Sequence, residues 1–340
     1  MEYNYEHIPE TKEDLDWAEL ITLDLNLFDS PEGKKELVEQ LRYAAQHVGF
    51  FYVTNFGISE EDVDRQFALA KRFYQLPLEE KLKYHNSQEM RSGHFNGYRP
   101  AELRNLLPDG SIKDNFQVYN IPKFDGYHAR PQPQVLQDEI AQIEDFQRQC
   151  HTKVITKLFK LLAILLELPD EDQLLKMHGY DNKGEDHLRY MFYKARTAEE
   201  NKTVGGLYAA GHTDLALQIR NSLGEWKWVK PQDRACTVNI SDALSSLTGG
   251  YLKSTIHRVH APPADQAHID RIGVLYFNRP NNNVILDPIT TSPLLARLNM
   301  TENEFTRLGY HLTMEDTEGK YEYDQKHLEI LPGMHAKIFN

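Results

Sequence analysis

His212 and Asp214 stand two residues apart in GHTD (211–214), and residues i and i+2 of extended backbone point to the same side, so one strand face there offers an imidazole nitrogen and a carboxylate oxygen. A second imidazole, His257, stands in STIHRVH (254–260), a run that reads as another strand after the turn-like LTGGYLK (247–253). Two imidazoles and one carboxylate on rigid strands form the facial triad of non-haem iron(II) oxygenases, which leaves three adjacent coordination positions open. HxD alone is unspecific in a chain with 15 histidines: His212 also reads as a satisfied strand histidine and Asp214 as a turn-former or cap. Specificity comes from the ordered combination of GHTD, the distant STIHRV, and an arginine opening the apolar run DRIGVLYFNRP (270–280).

The elements that position these residues are read from changes in hydrophobic period. Residues 33–47 predict a helix, GFFYVTNFG (49–57) a short buried strand ending in a turn, and EEDVDRQFALAKRFYQLP (60–77) an amphipathic helix stopped near Pro77. From Gln134 to Leu168, apolar residues recur at helical spacing and predict one long helix of about 50 Å, the spine of the molecule. From about residue 186 short apolar or alternating segments follow one another: LRYMFY, LALQIR, WKWV, CTVNIS, STIHRVHA and IGVLYFN. With no βα alternation among them, they predict a double-sheet jelly roll. The fold class expected is α+β: a double-stranded β-helix (jelly roll) core with a long spine helix and flanking helices. Its parts are an N-terminal α/β region (1–130), the long helix and its connection (131–185), the jelly-roll catalytic core (186–290) and a C-terminal helical appendage (291–340), in one compact unit.

Composition bounds the function classes. Hydrophobic residues at 40% and charged residues at 26% are those of an ordinary globular chain. A net charge of −13 repels phosphate backbones and anionic headgroups, so neither nucleic acid nor membrane is an expected partner. Cys150 and Cys236 are the two cysteines, too few for a disulfide framework, and the acidic N-terminus lacks the basic and apolar regions of a signal peptide; a cytoplasmic location is expected. The longest apolar run, 158–168, carries Lys160 and Glu167 and is too short to span a bilayer. A small-molecule substrate and a monomer or weak homodimer complete the expectation.

The chain resembles the isopenicillin N synthase-like branch of the iron(II)/2-oxoglutarate-dependent oxygenases, and its motifs are similar to those of fungal members. The resemblance rests on HVGFFYVTNFGI (47–58), YQLPLEEKLKY (74–84), GYRP (97–100), GHTD, GEWKWVKP (224–231), VNISDALSSLTGGYLKSTIHRV (238–259) and DRIGVLYFNRP, and covers most of the chain. It implies iron(II) held by His212, Asp214 and His257, with 2-oxoglutarate and dioxygen as co-substrates. It also implies that Arg271 pairs with the distal carboxylate of 2-oxoglutarate, a task suited to a planar bidentate donor, and that Tyr193 touches the same molecule. Where relatives carry a serine two residues after this arginine, this chain has Gly273. The bare sequence leaves a surface arginine as the lesser alternative for Arg271, and equally reads Tyr193 as a core aromatic.

Alignment of KDNFQVYN (113–120) with the family's equivalent stretch implies that Asn115 and Gln117 line the entrance. Phe277 and Arg279 follow Arg271 at even spacing and so are expected on its strand face; a core aromatic and an exposed arginine are the bland alternatives. The resemblance implies hydroxylation, desaturation or ring closure of a small organic metabolite, of secondary metabolism. Asp214 argues against halogenation, because halogenating relatives replace this carboxylate. One departure stands out: relatives place a strand and loop of about a dozen residues between the HxD element and the segment matching LALQIR, whereas here HTD runs straight into LALQIRNSLGEW. Two further readings follow, a disabled family member acting as a binding protein, and an oxidase of the same fold that does not use 2-oxoglutarate.

Overall fold

The β-rich half contains the expected run of short strands. In the computed structural model, which describes residues 5–91, 96–103, 105–107, 109–210, 216–317, 329–331, 334 and 335, the strands of the body are β1 (Thr22–Asp24), β2 (Phe50–Thr54), β3 (Gly97–Arg99), β4 (Phe116–Pro122), β5 (His187–Tyr193), β6 (Leu207–Ala210), β7 (Leu217–Arg220), β8 (Trp226–Trp228), β9 (Cys236–Asn239), β10 (His257–His260) and β11 (Arg271–Phe277). Two antiparallel four-stranded sheets, ordered β11-β5-β4-β3 and β6-β10-β7-β8, form the jelly roll, and a third sheet runs β1-β2-β9.

Period-two alternation divides the first sheet into two faces. Phe116, Val118, Met191 and Tyr193 meet Val259 and Ala261 of the second sheet in one apolar cluster inside the roll. Tyr119, Ile121, Leu188, Tyr190 and Ile272 point the other way, into a cluster with Leu69, Phe73, Ile143 and Phe146 of the helices. The register of β11 on β5 sets Arg271 opposite Tyr193, Gly273 opposite Met191, Leu275 opposite Arg189 and Phe277 opposite His187, and paired residues share a face. All eight therefore line the inside of the roll.

Helix α1 (Pro31–Tyr43) starts where Ser30 accepts a hydrogen bond from Gly33 N–H and Pro31 occupies the first turn. Helix α2 (Glu60–Tyr74) starts at Ser59, with Glu60, Glu61 and Asp62 in its positive first turn. The predicted single rod from Gln134 to Leu168 is divided. Gln134–Gln137 forms one turn, Glu139 leaves the helical region (φ −120°, ψ 17°), and the helix proper runs from Ile140 to Leu165 through a π turn at Cys150–Ile155. Its 26 residues span about 39 Å rather than 50 Å. Its apolar face joins Leu37, Leu41, Phe51 and Val53 in the largest core cluster, which also takes in Leu294, Leu295 and Met314 from the C-terminal helices.

β7 lies between β10 and β8, paired on both sides, so the second sheet is continuous. In contrast, β11 pairs with β5 and β9 pairs with β2, and among the described residues no further strand lies on the other edge of either.

Candidate active site

His257 opens β10 opposite Ile219, on the same face as Val259. Its Nδ1 lies 2.9 Å from the Thr255 carbonyl and therefore carries the proton; its ring meets the Phe50 ring edge-on at 5.2 Å. Burial holds the imidazole below its usual pKa, only partly offset by the Thr255 carbonyl and the charge of Asp242. A neutral ring with Nδ1–H committed to a carbonyl presents Nε2 as a lone-pair donor, the state in which histidine binds a divalent metal. His212 and Asp214 fall outside the described residues, and within those residues no three His, Cys, Asp or Glu side chains come together to hold a metal.

The loop carrying His257 is braced from the α1–β2 corner. Gly49 has φ +75°, and a Cβ there would lie 2.5 Å from the Lys253 carbonyl oxygen and 2.6 Å from Thr255 Oγ1. Thr255 Oγ1 donates to the Val48 carbonyl at 2.5 Å, and Lys253 N–H donates to Ala45 O at 2.8 Å. Glycine is required there both by its left-handed backbone and by the close approach of this loop.

Arg271 is 3% exposed and Tyr193 1%, with the Arg271 guanidinium carbon 5.3 Å from the centre of the Tyr193 ring. The bland reading of Arg271 as a surface residue is thus excluded. The Phe116 ring lies 5.9 Å from that of Tyr193 and is covered by the Arg99 guanidinium at 4.2 Å, which Asp114 anchors at 2.5 Å.

The two entrance residues stand elsewhere. Gln117 faces the helices, where its Oε1 accepts from Tyr98 Oη at 2.6 Å and from Lys81 Nζ at 3.1 Å. Asn115 precedes β4, and its side-chain N–H donates to the Lys194 carbonyl, tying the start of β4 to the end of β5. The inward residues of that strand are Phe116, Val118 and Asn120, set opposite Tyr193, Met191 and Arg189. The motif alignment was one residue out of step with the pleat. Phe277 does share the inner face, stacked on His187 at 4.6 Å with Arg189 over its ring at 4.5 Å. Arg279 lies past the end of β11, where even spacing no longer fixes a face, and its backbone N–H donates to Asp186 at 2.6 Å. His187 and Arg189 were missed by sequence reasoning, although Arg189 shares the parity of Tyr193 within LRYMFY.

The comparisons agree with this architecture. Residues 20–138 match the family model described as non-haem dioxygenase in morphine synthesis N-terminal, and residues 197–280 match the 2OG-Fe(II) oxygenase superfamily; together they cover more than half of the chain. UPF0676 protein C1494.01 of Schizosaccharomyces pombe is 29% identical over 287 residues, 80% of this chain and 85% of that one. The 2-oxoglutarate-dependent dioxygenase citB of Monascus ruber is 27% identical over 290 residues, 76% of this chain and 83% of its own. The fold is similar to that of Neurospora crassa T7H in complex with alpha-KG, with a TM-score of 0.71 at 21% identity over 83% of this chain and 92% of that one. No helix among the described residues is long and apolar enough to cross a membrane. With an inward arginine and tyrosine on one sheet, a metal-competent histidine on the other, and relatives of one chemistry, the chain belongs to the 2OG-Fe(II) oxygenase superfamily and is an iron(II)- and 2-oxoglutarate-dependent dioxygenase acting on a small molecule.

Proposed function

We propose that His212, Asp214 and His257 hold iron(II), that Arg271 and Tyr193 hold the distal carboxylate of 2-oxoglutarate, and that the chain hydroxylates, desaturates or cyclises a small secondary metabolite in the cytosol. The observation that carries this reading is the buried Arg271–Tyr193 pair on the inner face of the roll, where a bidentate cation and a phenol converge. When bound, iron with 2-oxoglutarate and dioxygen supplies the oxidising power for C–H cleavage. The protein's part is to keep His257 neutral and oriented through Thr255, to neutralise the co-substrate's far carboxylate, and to fix which substrate carbon is presented, which selects among the three outcomes. Two free cysteines support a reducing compartment. Anaerobic titration of the iron-loaded protein with 2-oxoglutarate tests metal and co-substrate together: the weak visible charge-transfer band of the chelate is expected, and its absence at millimolar 2-oxoglutarate sinks the reading.

A further inference from the structure

Arg271 and Tyr193 are the last pair of the β11–β5 ladder, since β5 ends at Tyr193 and β11 begins at Arg271. The end of a ladder opens first, so the rigidity of its last pair depends on what fixes the residues beyond it. Two side chains do this, each just ahead of a neighbouring strand. On the β11 side, Asp270 Oδ1 accepts from Ala195 N–H at 2.8 Å. On the β4 side, the Asn115 side chain donates to the Lys194 carbonyl, while Lys194 N–H donates to Asn115 O at 3.0 Å. Asp270 is itself anchored, because the connection before it is pinned to the N-terminal segment. Asp265 accepts from Thr11 Oγ1 at 2.7 Å and from Lys12 N–H at 2.8 Å, and Gln266 Nε2 donates to Pro9 O at 2.6 Å.

Asp270 is exposed, whereas Arg271, the next residue, is buried on the inner face. Asp270 therefore acts on the inside of the roll only through the backbone it holds. Resting on the reading of Arg271 and Tyr193 given above, we infer that Asp270, together with Asn115, is a positioning residue for 2-oxoglutarate, fixing the Arg271 guanidinium relative to the Tyr193 phenol. A planar bidentate donor is sensitive to such placement, because both of its N–H groups must meet one carboxylate at once. The role belongs to the acceptor atom of Asp270 and not to its charge: its partner is a backbone N–H, which an asparagine oxygen serves as well.

The test titrates iron(II)-loaded protein anaerobically with 2-oxoglutarate and with 2-oxobutanoate, which has the same 2-oxo acid group and no distal carboxylate, and reads the visible band. Asp270→Ala is expected to weaken 2-oxoglutarate about three- to tenfold, the loss of one hydrogen bond, while 2-oxobutanoate affinity and Tm hold. Asp270→Asn is expected to restore 2-oxoglutarate affinity to within about twofold of the native chain. Asn115→Ala should act in the same direction as Asp270→Ala, and carries the comparison where that variant does not fold. Unchanged 2-oxoglutarate affinity, equal losses for the two acids, or no recovery in Asp270→Asn overturns the inference. Arg271→Met, titrated alongside, separates it from the reading on which it rests. If Arg271→Met loses its preference for 2-oxoglutarate and Asp270→Ala keeps it, the clamp alone falls; if both keep it, the reading of Arg271 falls as well.

Discussion

Replacing Gly49 by alanine should damage the metal site from a distance, because the new methyl group meets the loop that orients His257. The added Cβ would lie 2.5 Å from the Lys253 carbonyl oxygen, so that loop must retreat by about 0.9 Å to reach ordinary contact near 3.4 Å. A backbone oxygen cannot swing aside as a flexible side chain does. Alanine at φ +75° adds roughly 1–2 kcal/mol of backbone strain, and overpacking adds about 1–3 kcal/mol. The total, roughly 2–5 kcal/mol, corresponds to a fall in Tm of about 3–7 °C for a chain of 340 residues at the average unfolding entropy per residue. Displacing Thr255 moves the carbonyl that fixes the His257 tautomer, and loss of such an outer contact costs about 10- to 100-fold in metal affinity. The assays are thermal unfolding and anaerobic competition for iron(II) against a chelator. Thr255→Val serves as a companion, removing the hydroxyl bond to Val48 while nearly preserving shape. If Gly49→Ala lowers Tm while iron(II) affinity stays within about twofold, the coupling between this corner and His257 is refuted.

Three further outcomes are expected. Arg271→Met should weaken 2-oxoglutarate binding on the order of 30- to 1000-fold while iron(II) affinity holds, and Arg271→Lys should recover only part of it because the fork is lost; titration of the visible band reads both. Asp114→Ala should cost roughly 3–5 kcal/mol in denaturant unfolding, since it strips the carboxylate from the Arg99 guanidinium that covers Phe116. Acid should destabilise the fold between pH 6.5 and about 4. Burial, above all, lowers His178 and His151 to about 4, so the unfolded chain takes up protons that the folded chain refuses, and stability falls as pH falls through that window. Burial also raises Asp186 to about 6, so the folded chain gains a proton first and stability moves the opposite way between about pH 6 and 3.8. His178 and Asp186 act in opposite directions, and His151 adds to the acid destabilisation, as do His257 and His260, which burial also lowers. His151→Gln should therefore flatten the pH dependence of Tm, and an unchanged acid slope would count against this assignment.

Much of this architecture is written in hydrophobic period, and its misreadings share one cause. Helix α2 and the strands β5, β10 and β11 follow from local alternation because each buries one face or both against a partner already implied by pattern. The rod from Gln134 was overextended because apolar spacing continues across Asp138 and Glu139 even though the backbone there leaves the helix, and spacing does not record φ and ψ. At β4 every residue from Phe116 to Pro122 is buried or nearly so, since one face meets the roll and the other the helices. Alternation is silent in such a strand, and only its register on β5 shows that Phe116 and Asn120 look inward while Gln117 does not.

The same dependence on register places the described candidates. The outer edges of β11 and β9 carry no partner strand among the described residues. Arg271 is placed by seven consecutive pairings of β11 with β5. His257 is placed by β10 between β6 and β7, and oriented by Thr255 and Phe50 from a third sheet. Arg189 lies on β5, held on both sides by β4 and β11. Each described candidate is thus held in register by strand pairings of its own sheet.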